Sequence, residues 1–278
     1  MKEKTFIQSF MKHKLGVIGF FGVAIVVCLG IFAPLIAPYQ HGYGEAMPLA
    51  KPSGENWLGT DALGLDLFAE LVWGARTSMF ISATAVLVAM LIGIPLGLVS
   101  GYFRGRIGAL IDSIIEIALT IPTLPLMILI SALAGASVRT VAVVIGIFAW
   151  PTLARITRNS SLRVSQLQYI EAAKILGVPT IFIMFKHILI NLAGPVLVDL
   201  TIIMATAVLT EASLSYLGLG DPNAWSWGVI LQNAFKAGHH FQAWWLVIFP
   251  SLAIMLYVIS FNLLGIGINE TLNPKSRD

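Results

Sequence analysis

The sequence predicts an all-α integral membrane protein with six transmembrane helices. Of its 278 residues, 57% are hydrophobic and only 11% are charged, whereas soluble proteins carry about 25% charged residues. The mean hydropathy of +0.86 agrees with this bias. This small number of charged side chains cannot cover a globular surface, and lipid therefore has to solvate much of the chain. This composition excludes an ordinary soluble enzyme.

Apolar stretches close to the roughly 20 residues that a spanning helix needs recur along the chain. The first, 15–38, follows a basic segment, 1–14. It exceeds the 7–15 residues, approximately, of a signal-peptide core, so we interpret it as an uncleaved span. An extracytoplasmic segment, 39–76, and a five-helix core, 77–268, follow, and the chain ends in a tail, 269–278. The core spans are expected at 77–101, 110–135, 138–155, 188–213 and 243–268.

The distribution of lysine and arginine predicts the orientation. With six spans, 13 of the 17 basic residues lie on the side of the N-terminus. Loops rich in these residues stay in the cytoplasm, so we expect both termini in the cytoplasm of a cell-membrane protein. The loop 156–187 is then internal. Membrane orientation accounts for the net charge of +3 without a nucleic-acid partner.

The internal loop contains signals for a short helix. Ser165 and Gln168 match a capping box, which favours a helix that starts at Ser165. Four of the next residues recur at the spacing of one helix face. They are Tyr169, Ala172, Ala173 and Leu176.

Gly177, followed by Pro179, is a strong signal for the end of that helix. Small side chains on one face permit close approach of another backbone, so the pattern is compatible with a compact knob that seats in a partner protein. An amphipathic linker that lies on the bilayer surface has the same pattern. The residues alone leave both interpretations open.

Glu171-Ala172-Ala173, then Gly177, then Ile188-Leu189 resembles the EAA loop of ABC importer permeases. The resemblance implies that Glu171, Ala172, Ala173 and Gly177 belong to a coupling helix that docks onto an ATP-binding subunit. The family usually has proline after the Ile-Leu pair, where this chain has Ile190.

Three further segments resemble the C-type permeases of dipeptide, oligopeptide and nickel importers. They are 56–66, 211–228 and 260–265, with Leu65 where that family generally has arginine. The resemblance implies a type I ABC importer permease fold and a complex with a homologous second permease, two ATP-binding subunits and an extracytoplasmic solute-binding protein. It favours di- or oligopeptides as substrate, with nickel and oligosaccharides as alternatives.

The chain lacks the G-x-x-x-x-G-K-[ST] pattern of a phosphate-binding loop. We therefore expect no cofactor and no catalytic residue here, with ATP and Mg²⁺ bound by the partner subunits. Asp112 and Glu116 do not indicate catalysis. The predicted start of the third span places Asp112 at a helix N-terminus, where the helix dipole favours a carboxylate.

Asp199 lies deep in the fifth span, where an acidic residue costs about 2.5–3.5 kcal/mol on insertion scales. It is therefore expected to face the substrate path or to form a structural hydrogen bond to a partner. Glu211 lies nearer the outer end, where the resemblance implies a structural role at the gate. A less favoured alternative is a stand-alone ion-coupled carrier that uses both acids. His239 and His240 are not expected to bind a metal, because adjacent side chains on a helix point apart.

Overall fold

The computed structural model describes residues 6–37, 46–103, 105–236, 238 and 242–272. Within them, the chain is helical apart from connecting segments and one isolated β-bridge, Thr60–Asp66. Two π-helical turns, Ile183–Ile188 and Ser215–Leu219, extend α9 at its two ends. The helices are α1 Phe6–Phe10, α2 Lys14–Ile36, α3 Leu67–Tyr102, α4 Arg106–Thr120, α5 Thr123–Ala134, α6 Val138–Val164, α7 Gln168–Ile175, α8 Thr180–Phe182, α9 Leu189–Leu214, α10 Trp227–Lys236 and α11 Trp245–Leu272.

Five helical stretches of the described chain are long and apolar enough to cross a membrane: α2, α3, α6, the stretch Thr180–Leu219 that contains α9, and α11. The pair α4 and α5 also qualifies when the two helices are taken together, but they are bent by 82°. The prediction of six spans is confirmed when this pair is counted as one crossing.

The span predicted over 110–135 consists of two helices, α4 and α5. Ile121 adopts an extended conformation between α4 and α5, with φ −70° and ψ 130°. The following residue is Pro122, and the ring of a proline disfavours helical backbone at the residue before it. Proline therefore breaks this span.

Two helices extend beyond their predicted spans. α3 begins at Leu67, before the predicted 77, and Asp66 caps it by accepting a hydrogen bond from the amide of Phe68 (3.2 Å). α6 ends at Val164, after the predicted 155. The predicted bounds marked the apolar part of each helix, and the polar ends continue beyond it.

α3 and α6 pack closely through glycine. A Cβ atom at Gly93, Gly97 or Gly101 would collide with main-chain atoms of α6. Small residues at four-residue intervals allow helix backbones to approach closely inside a membrane, where van der Waals packing drives helix association. A buried hydrogen bond of 2.6 Å between the Ser82 and Tyr257 hydroxyls joins α3 to α11. α3 is thus held along its length by its neighbours.

Candidate functional site

The start of α7 differs from the prediction. Ser165 has helical backbone angles and closes α6, and its hydroxyl donates to the carbonyl of Leu162 (2.9 Å). Leu167 occupies the position before α7 and makes no side-chain cap. The predicted capping box is therefore wrong, because a serine in helical conformation directs its hydroxyl to the carbonyls of the preceding turn.

The end of α7 agrees with the prediction. Gly177 has a φ of +74°, a left-handed conformation that glycine adopts without steric cost. Its amide donates to the Lys174 carbonyl (3.1 Å), and the amide of Val178 donates to the Ala173 carbonyl (3.1 Å). These two bonds form a Schellman motif, which satisfies carbonyls at the helix end. Gly177 therefore fixes the turn that separates α7 from α8.

One face of α7 is anchored to the membrane helices. Ile170 is fully buried in the apolar cluster that contains Tyr102 and Ile183. The ammonium group of Lys174 lies 4.8 Å from the centroid of the Tyr102 ring, in a cation–π contact. Since Tyr102 is the last residue of α3, these contacts couple the position of α7 to that of α3.

The other face of α7 carries exposed aliphatic side chains. Ile175 is 86% exposed and Leu176 is 81% exposed, and Glu171 and Ala172 are exposed beside them. Ala173 is half-buried against the anchoring cluster, so the two alanines do not share the free face as predicted. Exposed apolar side chains grouped on one surface mark sites of protein interaction. α7 is therefore fixed on one side and apolar on the side that remains free.

Asp199 is only 3% exposed, and one of its carboxylate oxygens, Oδ2, has no hydrogen-bond partner in the described part of the chain. The residue lies within α9, among the helices of its own chain. Its two interpretations, substrate path and structural bond to a partner, both stay predictions.

Glu211 is 1% exposed and has polar partners. Its Oε1 accepts hydrogen bonds from the hydroxyls of Ser215 and Ser226, both at 2.6 Å. These bonds tie the C-terminal end of α9 to the residue that precedes α10. Oε2 of Glu211 has no hydrogen-bond partner in the described part of the chain, and the structural role expected of Glu211 stays a prediction.

An ion pair that the sequence did not predict joins α4 to α6. Asp112 Oδ2 lies 2.6 Å from a guanidinium nitrogen of Arg158. Because α4 begins at Arg106, Asp112 lies beyond the first helical turn, and the predicted explanation by the helix dipole is wrong. The two residues are 46 positions apart in sequence, and only the close packing of α6 against α3 and α4 brings them together.

The segment before α3, α10 and the start of α11 form a cap over the N-terminal end of α3. The indole of Trp245 donates to the Thr60 carbonyl (3.0 Å), and the indole of Trp227 donates to the Leu71 carbonyl (3.0 Å). Asp61 Oδ1 accepts from the amides of Leu63 (2.8 Å) and Leu65 (2.7 Å). Burial nevertheless raises the pKa of Asp61 above its ordinary value. These bonds fix the segment before α3 against α11 and fix α10 against α3.

An open cavity of about 430 Å³ lies in this cap. Asp61, Glu70, Asn233 and Lys236 are its polar lining residues. Glu70, in the first turn of α3, is 4% exposed. Glu70 was not predicted as a site residue, because 39–76 was expected to be an extracytoplasmic segment, in which an acidic residue is unremarkable.

The described residues contain no group of three or more His, Cys, Asp or Glu side chains that could hold a metal ion. His239 and His240 lie outside the described residues.

Residues 93–278 match the family described as "Binding-protein-dependent transport system inner membrane component". Residues 4–52 match the family described as "N-terminal TM domain of oligopeptide transport permease C". The two matches together cover both ends of the chain.

Similar proteins include the oligopeptide transport system permease protein OppC of Bacillus subtilis, 34% identical over 99% of this chain and 90% of that protein. The dipeptide transport system permease protein DppC of Alkalihalophilus pseudofirmus is 36% identical over 97% of this chain and 89% of its own length. The glutathione transport system permease protein GsiD of Pectobacterium atrosepticum is 35% identical over 98% of this chain and 91% of its own length.

Among solved structures, the chain is similar to one of the MetNI methionine ABC transporter in an inward-facing conformation, with a TM-score of 0.57. Sequence identity is 22%, and the match covers 73% of this chain and 96% of that chain. This likeness concerns the fold, and it confirms the predicted permease architecture.

Proposed function

The chain belongs to the family of binding-protein-dependent transport system inner membrane components, and on that premise we propose that it is the C-type permease subunit of an ATP-driven importer of di- and oligopeptides. Its helices make it a membrane-embedded, multi-pass protein. In the proposed role, the chain supplies half of a transmembrane path and moves in response to separate ATP-binding subunits.

The observation that carries this proposal is the construction of α7. A transmitting element has to be rigidly connected to the membrane helices and free to bind a partner. Ile170 and the contact between Lys174 and Tyr102 supply the connection, and Ile175 and Leu176 supply an apolar surface for the partner. Nucleotide binding in the partner would bias one of two arrangements of the helices through this element.

The proposed complex contains a homologous second permease, two ATP-binding subunits and an extracytoplasmic solute-binding protein. ATP and Mg²⁺ would bind to the ATP-binding subunits, so this chain would be a pore subunit without catalytic residues. We place α7 and both termini in the cytoplasm, because basic residues dominate that side. In this orientation α4 and α5 together cross the membrane as one broken span.

Peptides are the proposed substrate because similar proteins are named as permeases of oligopeptide and dipeptide transport systems. The test is uptake of labelled di- and tripeptides in cells that lack the gene and in cells in which it is restored. Nickel and a labelled oligosaccharide serve as parallel substrates. We expect peptide uptake to fall on deletion and to return with the gene, while uptake of the other two is unchanged.

Loss of nickel or oligosaccharide uptake with unchanged peptide uptake would replace the proposed substrate and keep the importer. Unchanged uptake of all three would contradict the assignment to these substrate classes.

A further inference from the structure

The outer cavity brings a buried acidic side chain to a surface that solvent can reach. The cavity is open and has a volume of about 430 Å³, and its lining comes from the segment before α3, the first turn of α3, α10 and the start of α11. Glu70 is 4% exposed and lines this space. The remaining polar lining residues, Asp61, Asn233 and Lys236, are more exposed than Glu70.

The Glu70 carboxylate has no hydrogen bond and no ion pair with any described residue. Its nearest charged neighbours include Asp61 and Asp66, which carry the same sign. Asp61 Oδ1 is already occupied by two backbone amides. Lys236 is exposed and forms no ion pair with the described carboxylates. The lining thus contains two carboxyl groups, those of Glu70 and Asp61, and one ammonium group, that of Lys236.

A buried carboxylate is costly unless it is paired and hydrogen-bonded. The chain pairs Glu211 with two serine hydroxyls, but it supplies no such partner for Glu70. A compact cation with several N–H donors would supply Glu70 with the hydrogen bonds and the opposite charge that it lacks. An ammonium or guanidinium group has these properties and is small enough for the cavity.

We propose that the outer cavity is a binding site for one ammonium or guanidinium group, held by Glu70 with Asp61. The inference rests on the proposed function, because it places the cavity on the side from which substrate arrives. Two sources of such a group reach that side. One is the free amino terminus of a peptide, and the other is a basic side chain of the solute-binding protein.

The first experiment measures the electrostatic potential of the cavity without transport. Asn233→Cys is introduced with Cys28→Ser, and the assembled complex is reconstituted in nanodiscs. Cationic and anionic methanethiosulfonate reagents of similar size are compared by their rates of reaction with the new cysteine. We expect the cationic reagent to react faster, and Glu70→Gln to reduce the ratio of the two rates by about fivefold, because one nearby charge is removed.

Two variants control this measurement. Glu55→Gln makes the same charge change at an exposed position of the outer segment and should leave the ratio unchanged. Lys236→Gln removes the cation of the lining and should raise the ratio. This second variant keeps the test informative if Glu70→Gln does not assemble. A ratio that responds to neither Glu70→Gln nor Lys236→Gln would overturn the proposal.

The second experiment identifies the source of the cation in proteoliposomes that contain the complete importer. If the peptide amino terminus binds in the cavity, Glu70→Gln should raise the KM for a labelled dipeptide about fivefold and should leave docking of the solute-binding protein unchanged. It should instead weaken docking of the solute-binding protein if a basic side chain binds. No change in either quantity overturns the proposal. Failure of the wild-type complex to import any peptide would contradict the proposed function, and the reagent rates would still test the site.

Discussion

The two ends of α3 present different surfaces to their surroundings. At the inner end, Tyr102 holds α7, whose free face carries the exposed aliphatic side chains of Ile175 and Leu176. At the outer end, Glu70 lies buried in a cavity that Asp61 and Lys236 also line. An apolar surface binds by shape and burial of area, whereas a cavity with charged side chains selects by charge. On the proposed account, α3 joins a protein-docking surface to a site that selects by charge.

The inner end should show the largest effect, through the turn at Gly177. Gly177→Trp places a side chain at a φ of +74°, where a non-glycine residue costs about 1–2 kcal/mol and distorts the exit from α7. We expect ATP-dependent peptide uptake to fall by more than tenfold, because a small displacement of an element that has to be held in position lowers a rate strongly. Uptake in proteoliposomes checks this, together with ATP hydrolysis by the same samples.

Gly135→Trp is the matched control. Gly135 also has a positive φ, +88°, and open space around a built Cβ atom, but it lies at the end of α5. We expect near-normal coupling in this variant. Normal transport with Gly177→Trp would contradict the role assigned to α7.

The exposed face of α7 provides the second test of the inner end. Leu176→Glu should leave folding unchanged, because the side chain is 81% exposed, and should weaken binding of the ATP-binding subunits. Loss of an apolar anchor at an interface costs about 2 kcal/mol, or about 30-fold in Kd. Affinity in detergent measures this change.

Met47→Glu makes the same kind of change at a residue that is 79% exposed on the outer side. It should not affect binding of the ATP-binding subunits. Equal effects of the two variants would remove the distinction between the inner and outer surfaces.

Glu211 tests whether a buried acid at the outer side is structural. Glu211→Gln weakens the charge-assisted hydrogen bonds from Ser215 and Ser226, which contribute about 1.5–3 kcal/mol each when the acceptor is ionised. We expect a lower melting temperature of the purified complex and little change in the KM for peptide. A changed KM with unchanged melting temperature would place Glu211 on the substrate path instead.

Asp199 should show the smallest effect. Its side chain is 3% exposed, and Asp199→Asn keeps its shape and removes its charge. We expect peptide uptake within about twofold of wild type and a melting temperature that is unchanged or higher, because an unpaired buried charge is removed. Loss of uptake in an intact complex would show that selection by charge extends from the outer cavity to the middle of the membrane.

The predictable parts of the molecule depend on local sequence. Apolar length located the membrane helices, and the φ of Gly177 follows from the need for a left-handed residue at the end of α7. The position and size of the break at Ile121 were not predicted, because a hydropathy pattern does not distinguish a straight span from a bent one. The start of α7 was misplaced because Ser165 had two local options, and packing of α6 selected the helical one.

The candidate sites also divide into those that a local sequence pattern predicts and those that only the packed fold brings together. Glu171, Ala172, Ala173 and Gly177 were predicted to form the coupling site because their pattern lies within one short stretch of sequence, and this role stays a prediction. Glu70 and the Asp112–Arg158 ion pair depend on residues that only the packed fold brings together. No spacing rule links Glu70 to Lys236 or Asp112 to Arg158, so a single sequence carries no local pattern for either group.

The most direct test of the central claim is ATP-dependent uptake of a labelled dipeptide in proteoliposomes that contain the complete complex with either wild-type chain or Gly177→Trp. The account predicts uptake by the wild type only when ATP and the ATP-binding subunits are present, and ATP hydrolysis with little uptake by the variant. Uptake by the wild-type chain without ATP-binding subunits, driven by an ion gradient, would contradict the account and favour a stand-alone carrier.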